Sequence, residues 1–302
     1  MDKKVWVLGS SNLDMTYRVK DIPLKGYTVE ATSCMTATGG KGANQAVAAA
    51  HFGTQVGFIG AVGDDISSKM LLEVFDNAEI DRSHVLCIEK ESSGSAIIFV
   101  DDQGDNCIAV HSGANKCIPT GMKPDFTKGD ILVTQFEINI DAISHYFKLA
   151  KSCGVYTVIN PSPYVSLSEE ILDLTDMIVA NESESSQMSG LKIRDVETAI
   201  TAGKKILQMG PSTVVITLGA QGVVLVNQDD SLHITGRSVN VVDTQGAGDA
   251  FLGTLLAQLA KNKTYQEAIS IANLVASLCV EKHGSTQVSM PTIDEIERYI
   301  KI

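Results

Sequence analysis

The chain has 302 residues, 44% of them hydrophobic, enough to bury one large core or two modest ones. Its formal net charge is −12 with acids and bases interleaved, which excludes nucleic acid and anionic membrane surfaces, since both demand a basic face. The six cysteines (Cys34, Cys87, Cys107, Cys117, Cys153 and Cys279) form no CxxC pair or zinc-like spacing, and are expected to be reduced, mostly buried residues of a cytoplasmic protein.

The first element, "VWVL" (5–8), reads as a strand, and the apolar run around it is too short for a secretory signal. No uncharged apolar run approaches membrane-spanning length. Residues 13–38 follow, with the polar alternation of a hairpin. "NQAVAAAHFG" (44–53) predicts an alanine-rich helix ended by Gly53, and "QVGFIG" (55–60) a strand. A second hairpin is expected in 93–112, where "AIIFV" and "CIAV" flank the turn signal "DDQGDN". "ILVT" (131–134), "VYTVI" (155–159), "DMIVA" (176–180) and "TVVIT" (213–217) are continuous apolar runs, the mark of strands buried on both faces. "YQEAISIANLVASLCVEKHG" (265–284) predicts a helix with a core stripe of Ala268, Ile271, Ala272, Val275, Leu278 and Cys279, ended by Gly284. Strands alternating with helices imply an α/β fold with a mainly parallel sheet. The whole of 1–302 is expected to form a single domain, the two hairpins making a small sheet that covers a ligand crevice as a lid.

Open α/β sheets bind ligands at strand ends, and polar residues collect there. "SSNLD" offers Asn12 and Asp14, "GGKGAN" (39–44) offers bare amides with Lys41 and Asn44, and "QFE" offers Glu137. "NESE" offers Asn181 and Glu184, "TLGAQG" spans 217–222, and "DTQGAGDAFLGTLLA" (243–257) opens a helix with a glycine-rich turn and Asp249. Taken singly, Asp14 could be a turn carboxylate, Glu137 an exposed loop acid, Asn181 with Glu184 a capping box, and "TLGAQG" a tight turn between strands. Lys41 near a helix start is disfavoured by the dipole, which points to an anionic ligand. Two nucleotide motifs are excluded. A Walker loop needs Ser or Thr after its lysine, where Gly42 stands, and a dinucleotide fingerprint needs a third glycine where Phe251 stands.

"GGKGANQAVAAAHFG" and "DTQGAGDAFLG" resemble the N- and C-terminal signatures of the ribokinase family of carbohydrate kinases, and "HSGAN" (111–115), "NPSP" (160–163) and "TLGAQGV" (217–223) resemble its intermediate motifs. The resemblance runs along nearly the whole chain. It implies a three-layer ribokinase-like α/β fold with a β-sheet lid, and ATP-dependent phosphorylation of a primary hydroxyl, O5 of ribose. Deoxyribose, fructose or a nucleoside are the alternative acceptors, and a sensor without turnover is disfavoured by the intact Asp249. By the same resemblance Asp249 is the general base, and the amides of Gly246, Ala247, Gly248 and Asp249 form an anion hole. Asn12, Asp14, Gly40, Lys41, Asn44 and Glu137 would hold the sugar, covered by Ala96, Ile98, Ile108 and Val110 of the lid. Asn181 and Glu184 would position Mg²⁺ and phosphates, while Thr217, Gly219, Gly222 and Asn273 line the nucleotide. A monovalent cation, potassium, would lie between Asp243 with the Gln245 carbonyl and the Cys279, Lys282 and Gly284 carbonyls with Ser289. Gln245, Thr254, Ser68 and one extra residue in 284–291 depart from the family pattern. Pairing of lid sheets into a homodimer is also implied, and would satisfy exposed strand edges.

Overall fold

The computed structural model describes residues 3–284 and 286–299. In chain order the elements are β1 (Val5–Leu8), β2 (Asn12–Val19), β3 (Ala31–Gly39), α1 (Lys41–Ala50), β4 (Val56–Gly63), α2 (Ile66–Asn77), β5 (Asp81–Ile88), β6 (Gly94–Val100) and β7 (Asn106–His111). There follow β8 (Ile131–Thr134), α3 (Ile140–Ser152), β9 (Tyr156–Ile159), α4 (Glu169–Asp173), β10 (Met177–Asn181), α5 (Glu182–Ser189), α6 (Val196–Leu207) and β11 (Thr213–Thr217). The chain closes with β12 (Val223–Asn227), β13 (Ser231–Ile234), α7 (Ala247–Ala260), α8 (Tyr265–Cys279), α9 (Thr286–Ser289) and α10 (Ile293–Glu297).

Nine strands form the central sheet in the order β13-β12-β11-β10-β9-β8-β1-β4-β5. From β5 to β11 every neighbour is parallel, and only the β11–β12 and β12–β13 pairs at one edge are antiparallel. The apolar runs explain this: all four residues of β1 are fully buried, as a strand covered on both faces requires. On one side Val5, Val7, Val133 and Val215 pack with α1, α7 and α8 residues such as Ala46, Leu255 and Ala272. On the other, Trp6, Leu8 and Leu132 pack with Ile143, Tyr146 and Phe147 of α3. The result is the expected three-layer α/β fold.

The two hairpins form a separate four-stranded sheet, β3-β2-β6-β7, joined in the middle by parallel pairing of β2 with β6. Cross-strand partners share a face, so the register places Asp14, Ala96 and Val110 together, with Ile98 and Ile108 two residues along. Ala96 and Ile98 are buried, whereas Val110 and Ile108 on the outer strand are exposed.

Four expectations are corrected. The alanine-rich helix begins at Lys41, so "GGKGAN" supplies its first turn instead of preceding it. The helix expected over 265–284 ends at Cys279, because the next residues turn to pair with 242–243: Val280 O accepts from Val242 N (2.7 Å) and Asp243 Oδ2 from Gly284 N (3.1 Å). β5, β12 and β13 escape the reading of apolar runs; β5 and β13 are only partly buried and carry polar residues. The cysteines are not mostly buried: Cys34, Cys87, Cys107 and Cys117 are exposed, two of them on lid strands with an open face, and only Cys279 is buried. None of the six is in a disulfide. Among the described residues no helix is long and apolar enough to cross a membrane.

Candidate active site

The polar residues singled out in the sequence converge at one end of the parallel strands. At the start of α1, Gly40 holds φ +88°, a left-handed conformation that suits glycine. The carboxylate of Glu137, from the loop after β8, fills this helix end: its Oε2 accepts from Lys41 N (3.1 Å) and from the Ser10 hydroxyl. Asn12 opens β2 and is oriented by Asn115 of the "HSGAN" motif, whose Nδ2 donates to Asn12 Oδ1 (2.7 Å). Asp14 lies beside Gly39, and its Oδ1 is buried with no partner among the described residues. Burial, with the Glu137 charge adding to it, pushes the Asp14 carboxyl up to about 7.

Asp249 stands in the first turn of α7, only 8% exposed. Gly246 caps that helix at φ +77°, and a Cβ there would lie 2.4 Å from Thr286 Oγ1. Ala247 N donates back to Thr244 O (3.4 Å) and Ala250 N to Gly246 O (2.9 Å), so the amides of 247–249 have no intrahelical carbonyl. Asn44 Nδ2 donates to Asp249 Oδ2 (3.1 Å) and Gln45 Nε2 to Asp249 Oδ1 (2.9 Å). Burial raises the Asp249 pKa; the Lys41 charge and these two hydrogen bonds oppose it. Burial in turn works against the Lys41 charge, but Asp249, Glu137 and Glu184 together hold its pKa above the ordinary value. Lys41 is thus a cation among three carboxylates at a helix start, which offsets its unfavourable position on the dipole.

Two adjoining cavities lead away from Asp249. The nearer, 220 Å³, is lined by Lys41, Asn181, Glu184, Gly246 and Gly248. The farther, 570 Å³, is lined by Gly219, Gly222, Arg237, Asn273 and Ala276. Thr217, Thr244, Gly248 and Phe251 line both, so they form one cleft across the start of α7. Asn181 and Glu184 do make the capping box that their spacing allows, Glu184 N donating to Asn181 Oδ1 and Asn181 N to Glu184 Oε2, each at 2.9 Å. Glu184 nevertheless lines the cleft, so the local role and the site role coexist. Asn273 borders the farther cavity with its amide donating to Thr235 O (3.1 Å). A 640 Å³ cavity at the opposite strand ends, around Lys3, Lys151 and Tyr156, contains none of the clustered residues.

The two halves of the expected cation set also meet. Asp243 accepts from Gln245 N (2.9 Å) through Oδ1 and from Gly284 N (3.1 Å) through Oδ2, bridging the turn before α7 to the segment after α8. Cys279 O accepts from Lys282 N (3.0 Å), which leaves this carbonyl a second lone pair. Ser289 is fully buried and hydrogen-bonds the Cys279 thiol, which burial pushes up to about 11. At the start of α9, Thr286 Oγ1 donates to Gly246 O (2.7 Å) and thereby braces the turn.

Three residues of the site carry no signal that a reading of charge and spacing would catch. Buried Gln45 and Gln135 and half-buried Asn160 form a polar chain ending on Asp249. Asn160 lies inside the quoted "NPSP" and could have been marked there. Gln45 and Gln135 are neutral and 90 positions apart, so only the fold joins them.

Comparison with known proteins agrees with this arrangement. The family model for pfkB family carbohydrate kinases matches residues 2–293. A ribokinase of Staphylococcus aureus is 37% identical over 99% of this chain and 100% of its own. A deoxyribokinase of Salmonella typhi is 31% identical over 98% of each. The structure of Arabidopsis thaliana ribokinase complexed with ribose and ATP superposes with a TM-score of 0.92 at 29% identity, covering 100% of both chains. The chain therefore belongs to the pfkB family of carbohydrate kinases, and is an ATP-dependent carbohydrate kinase.

Proposed function

We propose that the protein transfers the γ-phosphoryl group of ATP to O5 of ribose, giving ribose 5-phosphate and ADP. The observation that carries this reading is the position of Asp249: a buried carboxylate at the junction of the Asn12–Asp14–Asn44 cluster and the two-part cleft. Asp249 takes the hydroxyl proton as the sugar oxygen forms its bond to γ-phosphorus and the bond to the β-phosphate oxygen breaks. The amides of 246–249, unpaired within α7, stabilise the charge that develops on the transferring group. Asp14 Oδ1, unpartnered among the described residues, suits a sugar hydroxyl donor, and Asn12, Gly40, Lys41 and Glu137 are read as holding the same sugar. Ala96, Ile98, Ile108 and Val110 share the lid face that carries Asp14 and exclude water from the sugar when the lid is closed.

ATP occupies the cleft, its base beside Asn273 and its phosphates running past Thr217, Gly219 and Gly222 to the α7 turn. Mg²⁺ supplies charge neutralisation on the phosphates when bound; Glu184, with one carboxylate oxygen outside its capping bond, and Asn181 would hold it through water. Carbonyls with a single carboxylate, Asp243, make an oxygen-only donor set that fits potassium behind the turn. The outer strands β3 and β7 leave both lid edges open, with exposed Met35, Ile108 and Val110, and this supports a homodimer paired through the lid. We place the protein in the cytoplasm and read the central sheet and lid as one domain.

Deoxyribose is the second reading, supported by the deoxyribokinase relative. The test is sugar-dependent ADP release with Mg²⁺-ATP across ribose, deoxyribose, fructose and nucleosides, with potassium or a bulky organic cation. Ribose is expected to give the highest kcat/KM, and only with potassium. A higher value for another acceptor would overturn the sugar assignment and leave the phosphoryl-transfer site standing.

A further inference from the structure

Asp249 is reached by a chain of amides whose orientations are interlocked. Gln45 is 1% exposed and Gln135 fully buried. Gln45 Nε2 donates to Asp249 Oδ1 (2.9 Å) and to Asn160 Oδ1 (3.3 Å), and Gln45 Oε1 accepts from Gln135 Nε2. An ionised carboxylate only accepts, so the amino end of Gln45 must face it. The Gln45 oxygen then faces Gln135, which must present its own amino group. Asn160 Nδ2 donates to Val179 O (2.9 Å), which leaves the Asn160 oxygen for Gln45. The consequence falls at the far end: Gln135 Oε1 is buried without a partner among the described residues, and a Cβ on Gly9 would lie 2.6 Å from it. A buried unpaired carbonyl is costly, and it is the remainder of a chain in which every other amide group is committed.

We infer that Gln45 is a positioning residue for the phosphoryl-transfer step, with Gln135 and Asn160 fixing its amide so that an N–H always points at Asp249 Oδ1. Gln45 is buried and lines neither cavity of the cleft, so it acts on the nucleotide side through Asp249, whereas Asn160 lines the nearer cavity itself. It holds the carboxylate ionised and in one rotamer, and leaves each oxygen a lone pair for the incoming hydroxyl. The charged groups facing Asp249 are Lys41 on α1 and Glu137 after β8, with Glu184 of α5 facing Lys41. This inference rests on Asp249 being the base.

The test is the pH dependence of kcat for the full chain, Gln45→Met, Gln135→Met and Asp249→Asn, with sugar affinity measured by calorimetry without nucleotide. Gln45→Met keeps the side-chain length and removes the donor. Its kcat should fall about tenfold or more and its acid limb should move upward by about one pH unit, since a lost hydrogen bond to the charged form raises the pKa. Sugar affinity should stay within about twofold, well short of the tenfold that 1.4 kcal/mol would represent. Gln135→Met should shift the limb the same way by less, and decides the matter if Gln45→Met folds poorly. Unshifted acid limbs in the folded variants would overturn the role of Gln45 while Asp249→Asn stays inactive. Retained activity in Asp249→Asn would instead overturn the base assignment beneath it.

Discussion

Two glycine-led helix starts meet in this site, and they are used in opposite ways. The α1 end is closed by the protein itself: Glu137 accepts from Lys41 N, and the carboxylate that binds there belongs to the fold. The α7 end has no side-chain cap, carries Asp249 in its first turn, and opens onto the cleft. A helix start attracts anions in either case. What separates them is whether a side chain of the chain reaches the amides first. In the proposed function the closed end fixes the sugar side of the site, and the open end is left for the anion that arrives with the nucleotide.

Closing the open end should have the largest effect. Gly246→Ala puts a methyl group against Thr286 and a side chain at φ +77°, displacing the turn. The kcat should fall on the order of 10²–10³-fold, as for loss of an oxyanion donor, with sugar affinity measured without nucleotide nearly unchanged. Steady-state kinetics with titration calorimetry would separate the two.

Asp14 comes next. Asp14→Asn should weaken sugar binding roughly tenfold or more, the scale of a hydrogen bond to a charged group. Its stability effect runs the other way. The folded carboxyl titrates near 7 against 3.8 in the ordinary group, so the folded state holds the proton more tightly. The stability that the Asp14 carboxyl contributes therefore falls as pH rises from about 4 to 7, and the loss is complete above 7. The variant should match wild type near pH 4 and melt higher at pH 8, by up to about 10 °C. Differential scanning calorimetry at both pH values checks the sign.

Opening the closed end should cost least. Glu137→Ala removes the acceptor for Lys41 N and should destabilise the fold by about 1 kcal/mol. Glu137→Gln keeps an acceptor and removes the charge, so stability should change little. The pH midpoint of sugar binding should move down, because Glu137 helps hold Asp14 up. The lid gives a further check: solution scattering should report a dimer, and a monomer at working concentration would remove the pairing of lid edges.

The difference between the two ends was only half legible in the sequence. Both glycine turns, Lys41 and Asp249 stand out because their residue types conflict with or exceed what a helix start needs. That Glu137 closes one of them depends on β8 lying beside β1, which brings Lys41 and Glu137 together across 96 positions that no local pattern bridges. The core strands were readable because burial on both faces leaves a continuous apolar run, as in β1 and β8. β5 was not, since "DRSHVLCI" is partly buried at an edge and its polar residues break the run. The end of α8 was misplaced for a similar reason: Gly284 is a stop signal by type, but the helix is ended five residues earlier by pairing with 242–243. Cysteine exposure failed because residue type carries no information about which lid face is open, as for Cys34 and Cys107, or which edge strand is covered, as for Cys87 on β5.

The most direct test of the central claim is single-turnover phosphoryl transfer by Asp249→Asn at saturating sugar and Mg²⁺-ATP. If the open end of α7 and its carboxylate carry the chemistry, the transfer rate should drop about 10²–10⁴-fold, the contribution of a general base, while both substrates still bind. A rate within a few-fold of wild type would contradict the account.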